Sequence, residues 1–173
     1  MNISIIIVNW NTKDLLRDCL SSIYKTIDPL THEIIVVDNA SSDGSMAMLA
    51  AEYPQVKIIA NKENRGFGAA NNQGFAVMQG RYALLINTDA VLTAGAVQKL
   101  WAFAESNPCV AIVCGQLLNA DGSKQNSIAA FPTLLTLAVN TSLLEYLFPR
   151  RYPSKRYGHA GPLEVDSAIG ACM

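Results

Sequence analysis

Short apolar runs recur through the first half of the chain, each stopped by polar residues and most followed by apolar positions at helical spacing. Ile3 to Val8 is rich in β-branched residues, Glu33 to Val37 and Val56 to Ala60 repeat the pattern, and Tyr82 to Ile86 ends at Asn87-Thr88-Asp89. Runs this brief and this apolar read as strands buried on both faces. Between them, Leu15, Leu16, Cys19, Leu20 and Ile23 share one helical face behind an Asn11 or Thr12 cap. A second helix follows the turn from Asp38 to Ser45 and stops at Pro54, and a third leads from the Asn61 to Gly68 loop to about Met78. A fourth helix is expected from about Ala94 to Asn107, where Pro108 ends it, and Val110 to Cys114 is expected as another strand. Strand and helix in alternation imply an α/β fold, a mostly parallel, doubly wound Rossmann-like sheet with helices on both faces.

Composition supports a substantial core. Half of the 173 residues are hydrophobic and 16% are charged, the profile of a globular domain. A net charge of -1 and a pI near 6.1 provide no overall field for nucleic acid or an anionic membrane, so any anion site must be local. Cys19, Cys109, Cys114 and Cys172 lack the close paired spacing of a zinc site or redox motif and read as buried thiols of a reducing compartment. Ile5 to Val8 is too short for a signal peptide or a membrane span, and no basic region precedes it. The expected location is the cytoplasm or the cytoplasmic face of a membrane.

Beyond Gly115 the character changes. Asn119-Ala120-Asp121-Gly122 is a turn signal within Leu117 to Lys124 and suits a hairpin or an exposed loop. Leu134 to Phe148 is apolar nearly all round, and Pro149 to Tyr157 mixes Arg150, Arg151, Lys155 and Arg156 with Tyr152 and Tyr157. One reading is a peripheral patch for phospholipid headgroups or a phosphate-bearing acceptor. The other is a core or interface helix followed by a solvated loop. Leu163 to Met173 reads as a strand still in progress at its last residue, as if truncated at the C-terminus.

In an open α/β sheet, ligands gather beyond the carboxyl ends of the strands. Val8-Asn9-Trp10, Asp38-Asn39 and Asn87-Thr88-Asp89 all fall there. Trp10 can supply an aromatic shelf, Asp38 an acceptor for a base or ribose, and Asp89 a hard oxygen ligand for Mg2+ or Mn2+. Asn64-Arg65-Gly66-Phe67-Gly68 adds a cation beside a helix N-terminus, where negative charge is favoured. Each residue also has an ordinary use: Trp10 in packing, Asp38 in a turn, Arg65 paired with Glu63, and Asp89 in an Asx turn or as the cap of a helix near Thr93. Gly66-Phe67-Gly68 resembles part of a dinucleotide fingerprint, but the third glycine position holds Asn71 and the turn after the first strand has no glycine.

Taken in order, Ile3 to Asn11, the run from Glu33 to Ser45, Asn64 to Gly68 with Asn71 and Asn72, and Leu84 to Asp89 resemble family 2 glycosyltransferases of the GT-A fold. The subgroup most similar is that of bacterial rhamnosyltransferase-like enzymes of polysaccharide assembly. The resemblance implies a dTDP- or UDP-linked sugar donor, a divalent metal (Mn2+ or Mg2+), inversion at the anomeric carbon, and a glycan or lipid-linked glycan acceptor. It makes Val8 and Trp10 contacts of the base and Asp38 the partner of its ring nitrogen, and it places Arg65 near base, ribose or phosphates. Asn87-Thr88-Asp89 stands at the family's Asp-x-Asp metal motif with Asp89 as the ligand, and the neutral Asn87 should weaken metal affinity. Residues 1–115 then form the nucleotide-sugar-binding half and residues 116–173 the start of an acceptor-side region. The family's general base is expected beyond Met173, so the chain is expected to bind donor and transfer sugar poorly. Asp166, in an apparent strand, suits a structural or acceptor-side role. The alternatives are a non-catalytic nucleotide-sugar-binding module and a dinucleotide-binding oxidoreductase domain.

Overall fold

The computed structural model describes residues 1–133, 136, 139–149, 151–154 and 161–173. Leu134, Leu135, Leu137 and Ala138 of the apolar segment, and Arg150, Lys155, Arg156 and Tyr157 of the basic stretch, lie outside the described residues. The described residues fall into two compact units, Met1–Val113 with Gly170–Met173, and Cys114–Ile169.

The first unit is built on four parallel strands: β1 (Ile3–Asn9), β2 (His32–Asp38), β3 (Lys57–Ala60) and β4 (Tyr82–Leu85), in the order β3-β2-β1-β4. The helices α1 (Lys13–Thr26), α2 (Ser45–Glu52) and α3 (Phe67–Val77) form the crossovers, and α4 (Ala96–Ser106) follows β4. Successive side chains of a strand point to opposite faces. Ile6, Ile35 and Val37 therefore share one face with Ala70 of α3, while Ile5, Ile7, Ile34 and Val36 are buried on the other. Burial of one such side chain contributes about 1.5–3 kcal/mol, which explains why the β-branched runs specify the register so firmly. Gly74 of α3 lies so close that an added Cβ would fall 2.5 Å from Ile6.

The chain lays β2 and β3 on one side of β1 and then returns to place β4 on the other. The order thus reverses between β1 and β4, which makes the crevice beyond their carboxyl ends the favoured ligand site.

Several expectations require correction. Leu15 is 47% exposed and leaves the α1 face to Leu16, Cys19, Leu20 and Ile23. Val110 to Cys114 is not a strand, because the free edge of β4 is taken by Ala171 to Met173, which run antiparallel to it through Leu85, Ile86 and Asn87. Val110 to Val113 instead line an apolar groove of about 370 Å³ with Leu84, Trp101 and Met173. The strand expected from Leu163 to Met173 is split at Gly170. Its first part is β6 (Ser167–Ala168), antiparallel to β5 (Ile128–Ala129) in the second unit, and its last residues join the first unit. Cys109 is exposed and Cys114 half-buried, so only Cys19 and Cys172 are the buried thiols expected.

In the second unit the hairpin forms as the turn signal indicates, with Leu118 bridged to Lys124 and the Gly122 N–H donating to the Asn119 carbonyl. The helix α5 (Thr141–Leu147) starts where the Asn140 side chain accepts from the Ser142 N–H at 2.9 Å. No helix among the described residues is long and apolar enough to cross a membrane.

Candidate functional site

The site begins with Asn9, the last residue of β1, which is fully buried. A buried primary amide needs partners for both its ends. Its Nδ2 donates to Asp38 Oδ1 at 2.7 Å and to Ser41 Oγ at 3.0 Å, and its Oδ1 accepts the Thr12 hydroxyl at 2.8 Å. Thr12 Oγ1 in turn lies 3.0 Å from Thr88 Oγ1. A hydroxyl has one proton, and Thr12 has given its proton to Asn9, so Thr88 is the donor of the second bond. One uninterrupted chain of hydrogen bonds joins the ends of β2, β1 and β4.

The run from Asp38 to Ser45 consists largely of residues that hold this edge in shape. Asp38 is only 2% exposed, and its second oxygen accepts the Ser41 N–H at 2.9 Å. Asn39 donates its N–H to the Asn9 carbonyl, and its side-chain oxygen accepts from Asn61, which exchanges two bonds with Gln73. Asp43 accepts the Lys13 N–H at 2.7 Å and so caps α1 from a neighbouring loop, while Thr12 makes no side-chain cap. Its other oxygen accepts the Ser45 hydroxyl and N–H. Burial raises the Asp43 pKa, and these donors outweigh it, so the carboxyl titrates below its ordinary range.

The backbone here is strained. Asn11 and Ala40 have φ of 54° and 63°. Asn tolerates the left-handed region better than most residues, and Asn11 is held there as its Oδ1 accepts the Ser42 N–H of the neighbouring loop at 2.8 Å. Ala40 has no such compensation, and strain of this kind costs of order 1–3 kcal/mol and gathers at functional sites.

Around this fixed edge stand side chains with little structural employment. Trp10 is 56% exposed, whereas Val8 is half-buried and packs against the core cluster of Ile6, Ile35, Val37 and Ala70. Asp89 is exposed and makes no hydrogen bond or ion pair among the described residues. It does not cap α4, whose N-cap is Gly95 at φ 76°. Asn87 is half-buried, and its Oδ1 is enclosed without a partner. Arg65 is exposed, and the pair with Glu63 does not form. Gly66 caps α3 at φ 82°, its N–H donating to Asn64 Oδ1, and a Cβ at Gly66 or Gly68 would meet nothing within 4 Å. The N–H groups of the first helical turn there lack intrahelical partners, the arrangement that attracts anions.

Thr12, Ser41 and Cys19 were not anticipated as parts of this edge. The Cys19 thiol lies 3.6 Å from the Asn87 carbonyl, and burial, with Cys172 and Asp89 nearby, pushes its pKa up to about 12. Asp166 is remote in role: its carboxylate accepts the Phe131 N–H at 3.2 Å and ties the segment after β5 to β6 within the second unit. Among the described residues no three His, Cys, Asp or Glu come together as a metal cluster. Asp89 is an exposed hard oxygen donor of the kind Mg2+ or Mn2+ takes, while the Asn87 oxygen two residues before it is enclosed.

Residues 4–171 match the family model of glycosyl transferase family 2. The chain belongs to this family. It is 32% identical over 127 residues to a poly(ribitol-phosphate) beta-glucosyltransferase of Bacillus spizizenii, covering 70% of this chain and 20% of that protein. It is 27% identical over 139 residues to TuaG of Bacillus subtilis, a putative teichuronic acid biosynthesis glycosyltransferase, covering 78% of this chain and 54% of TuaG. The chain thus spans between a fifth and about half of these relatives. The sheet and its flanking helices are those of GT-A glycosyltransferases. S. aureus TarS 1-349 in complex with UDP superposes with a TM-score of 0.57 at 20% identity, covering 73% of this chain and 40% of that one. A mannosyltransferase from Pyrobaculum calidifontis in complex with GDP-Man and Mn2+ gives 0.55 at 20% identity, over 76% and 36% of the two chains.

Proposed function

We propose that this family 2 chain binds a nucleotide-diphosphate sugar and serves an inverting hexosyl transfer in cell-surface polysaccharide synthesis. The observation that carries the reading is the hydrogen-bonded union of the β1, β2 and β4 ends beside an exposed Trp10, with Asp89 making no hydrogen bond or ion pair among the described residues. The base stacks near Trp10 over Val8 with Asp38 as its acceptor, Asn9 and Asn39 shape the floor, and Arg65 with Gly66 faces the phosphates. Asp89, with Asn87 and Thr88 beside it, holds a divalent cation, Mn2+ or Mg2+, that offsets charge on the leaving diphosphate. UDP in one structural neighbour, GDP-Man with Mn2+ in another, and the surface-polymer functions in the relatives' names support this reading. Rhamnose from a dTDP donor is the hexose that the sequence resemblance favours, with UDP-linked hexoses the alternative.

The acceptor is a glycan on a lipid carrier at the cytoplasmic face of a membrane. Support comes from α5, where Leu143, Tyr146 and Leu147, with Phe148 just after it, are about half or more exposed ahead of the exposed Arg151. Apolar side chains beside cations suit anionic headgroups. Sedimentation with vesicles containing anionic lipid tests this, and equal pelleting of wild type and Tyr146→Ser/Leu147→Ser would contradict it.

The donor reading is tested by thermal shift with dTDP, UDP, GDP and NAD, with and without Mn2+. A nucleotide-diphosphate should stabilise the chain by about 2.7 kcal/mol at a hundredfold excess over Kd. Stabilisation by NAD alone would instead favour an oxidoreductase domain.

A further inference from the structure

Thr12 stands apart from the residues that face a ligand. It is half-buried and is the N-cap residue of α1, but its side chain makes no cap hydrogen bond to that helix. Its hydroxyl instead spans the β1/β4 crevice, giving its proton to Asn9 and receiving that of Thr88. On one side, Asn9 passes the connection to Asp38 at 2.7 Å. On the other, Thr88 is the immediate neighbour of Asp89. Every donor in the series has one direction, because Asn9 uses its NH2 on Asp38 and Ser41 and has only its oxygen left for Thr12. In such a series each bond orients the next, so a change at one end is passed to the other through the side chains it holds.

We infer that Thr12 is a positioning residue that couples the nucleoside pocket at Asp38 to the cation-bearing turn at Asp89, so that metal and nucleotide each tighten the other. This rests on the donor-binding reading above. The hydroxyl is what matters. A base that draws on Asp38 fixes Asn9, Asn9 fixes the Thr12 proton, and the Thr12 lone pair fixes the Thr88 side chain and the turn that carries Asp89. The Cys19 thiol, 3.6 Å from the Asn87 carbonyl, braces the same turn from α1.

Coupling of this kind is typically about 5- to 150-fold in affinity and is reciprocal. The test is calorimetric titration of the 173-residue chain with UDP, dTDP and GDP, and with the corresponding nucleosides, each with and without Mn2+. In wild type, Mn2+ should tighten the preferred nucleoside diphosphate. Thr12→Val, which keeps shape and removes the hydroxyl, should reduce that enhancement by about tenfold, the loss of one hydrogen bond. The nucleoside's Kd, measured without Mn2+, should shift by a smaller factor than this, and Thr12→Ser should restore the enhancement. A mere loss of folding would move nucleoside and diphosphate together and would not be rescued in this pattern. Thr88→Val breaks the same bond from the other side and serves if Thr12→Val does not fold. Full Mn2+ enhancement in the valine variant, or none in wild type that binds the nucleotide, overturns the coupling alone. Failure of wild type to bind any of the nucleotides overturns the donor-binding reading and the coupling with it.

Discussion

The two ends of the same parallel sheet treat polar residues in opposite ways. At the amino end, Ser4 and Glu33 are buried and the donors around them converge on the Glu33 carboxylate and the Ser4 hydroxyl. Glu33 accepts the Ser4 hydroxyl at 2.5 Å, the Gln79 N–H at 2.6 Å and the Lys57 ammonium at 2.6 Å, while Ser4 also accepts the Gly80 N–H at 2.8 Å. Nothing there is left over. At the carboxyl end, Asn9 and Asp38 are likewise buried, yet among the described residues Asn87 has an oxygen without a partner, Asp89 and Arg65 make no hydrogen bond or ion pair, and Ala40 is strained. A closed network fixes a fold, and an open one at a topological switch point has capacity for a ligand.

The sharpest way to break this contrast is at Gly80, where a Cβ would lie 2.4 Å from the Ser4 nitrogen and 2.5 Å from the Ile3 carbonyl carbon. Backbone cannot yield as a side chain does, so Gly80→Ala should lower stability by about 2–3 kcal/mol in denaturant unfolding. Nucleotide affinity of the folded fraction should be unchanged, since the clash lies at the opposite edge.

Glu33 gives the next largest effect. Burial raises its pKa, but Lys57, Ser4 and the Gln79 N–H lower it further, leaving it below its ordinary value of 4.5. A carboxyl depressed in the folded state contributes stability that is present above its unfolded pKa and lost as pH falls through the folded one. Stability should therefore hold from neutral pH to about 4.5 and decline below it. Glu33→Gln should cost about 1–2 kcal/mol at pH 7, discounted because Lys57 is half exposed, and the gap to wild type should close in acid. A gap that widens on acidification would contradict the assignment.

How much of this contrast was legible in the chain follows from where its physics is local. The apolar runs announced β1 to β4, although burial on both faces holds for β1 and β2 while β3 and β4 are only partly buried, and Asn9, Asp38 and Asp89 were placed by following each run to its end. Val110 to Cys114 has the same signature but no ladder, because the edge it would need is taken by Ala171 to Met173, a pairing between residues far apart in sequence. Asp38 was read as a ligand acceptor, and the structure adds its bonds to Asn9 and Ser41. Thr12 is the N-cap residue of α1 as its spacing indicates, but the side chain that bonds the first turn is that of Asp43, a contact between loops that no local spacing reveals.

At the open end the effects on stability should be smaller and those on binding larger. Asp89→Ala should change stability by no more than about 0.5 kcal/mol, since an exposed side chain without partners is removed. The same variant should lose the Mn2+-dependent part of nucleotide affinity in calorimetry. Ala40→Gly should be neutral or stabilising by up to about 1 kcal/mol, because glycine relieves a left-handed φ and gives back part of the gain as unfolded-chain entropy. A Tm that falls by several degrees would show that Ala40 contributes packing rather than strain.

The most direct measurement is a crystal of this chain soaked with UDP and Mn2+, with anomalous scattering locating the metal. The account predicts a manganese peak at the Asp89 carboxylate, with diphosphate oxygens in its shell and the uracil against Trp10 within reach of Asp38. Nucleotide density in the apolar groove beside Trp101, or a metal that leaves Asp89 uncontacted, would contradict it.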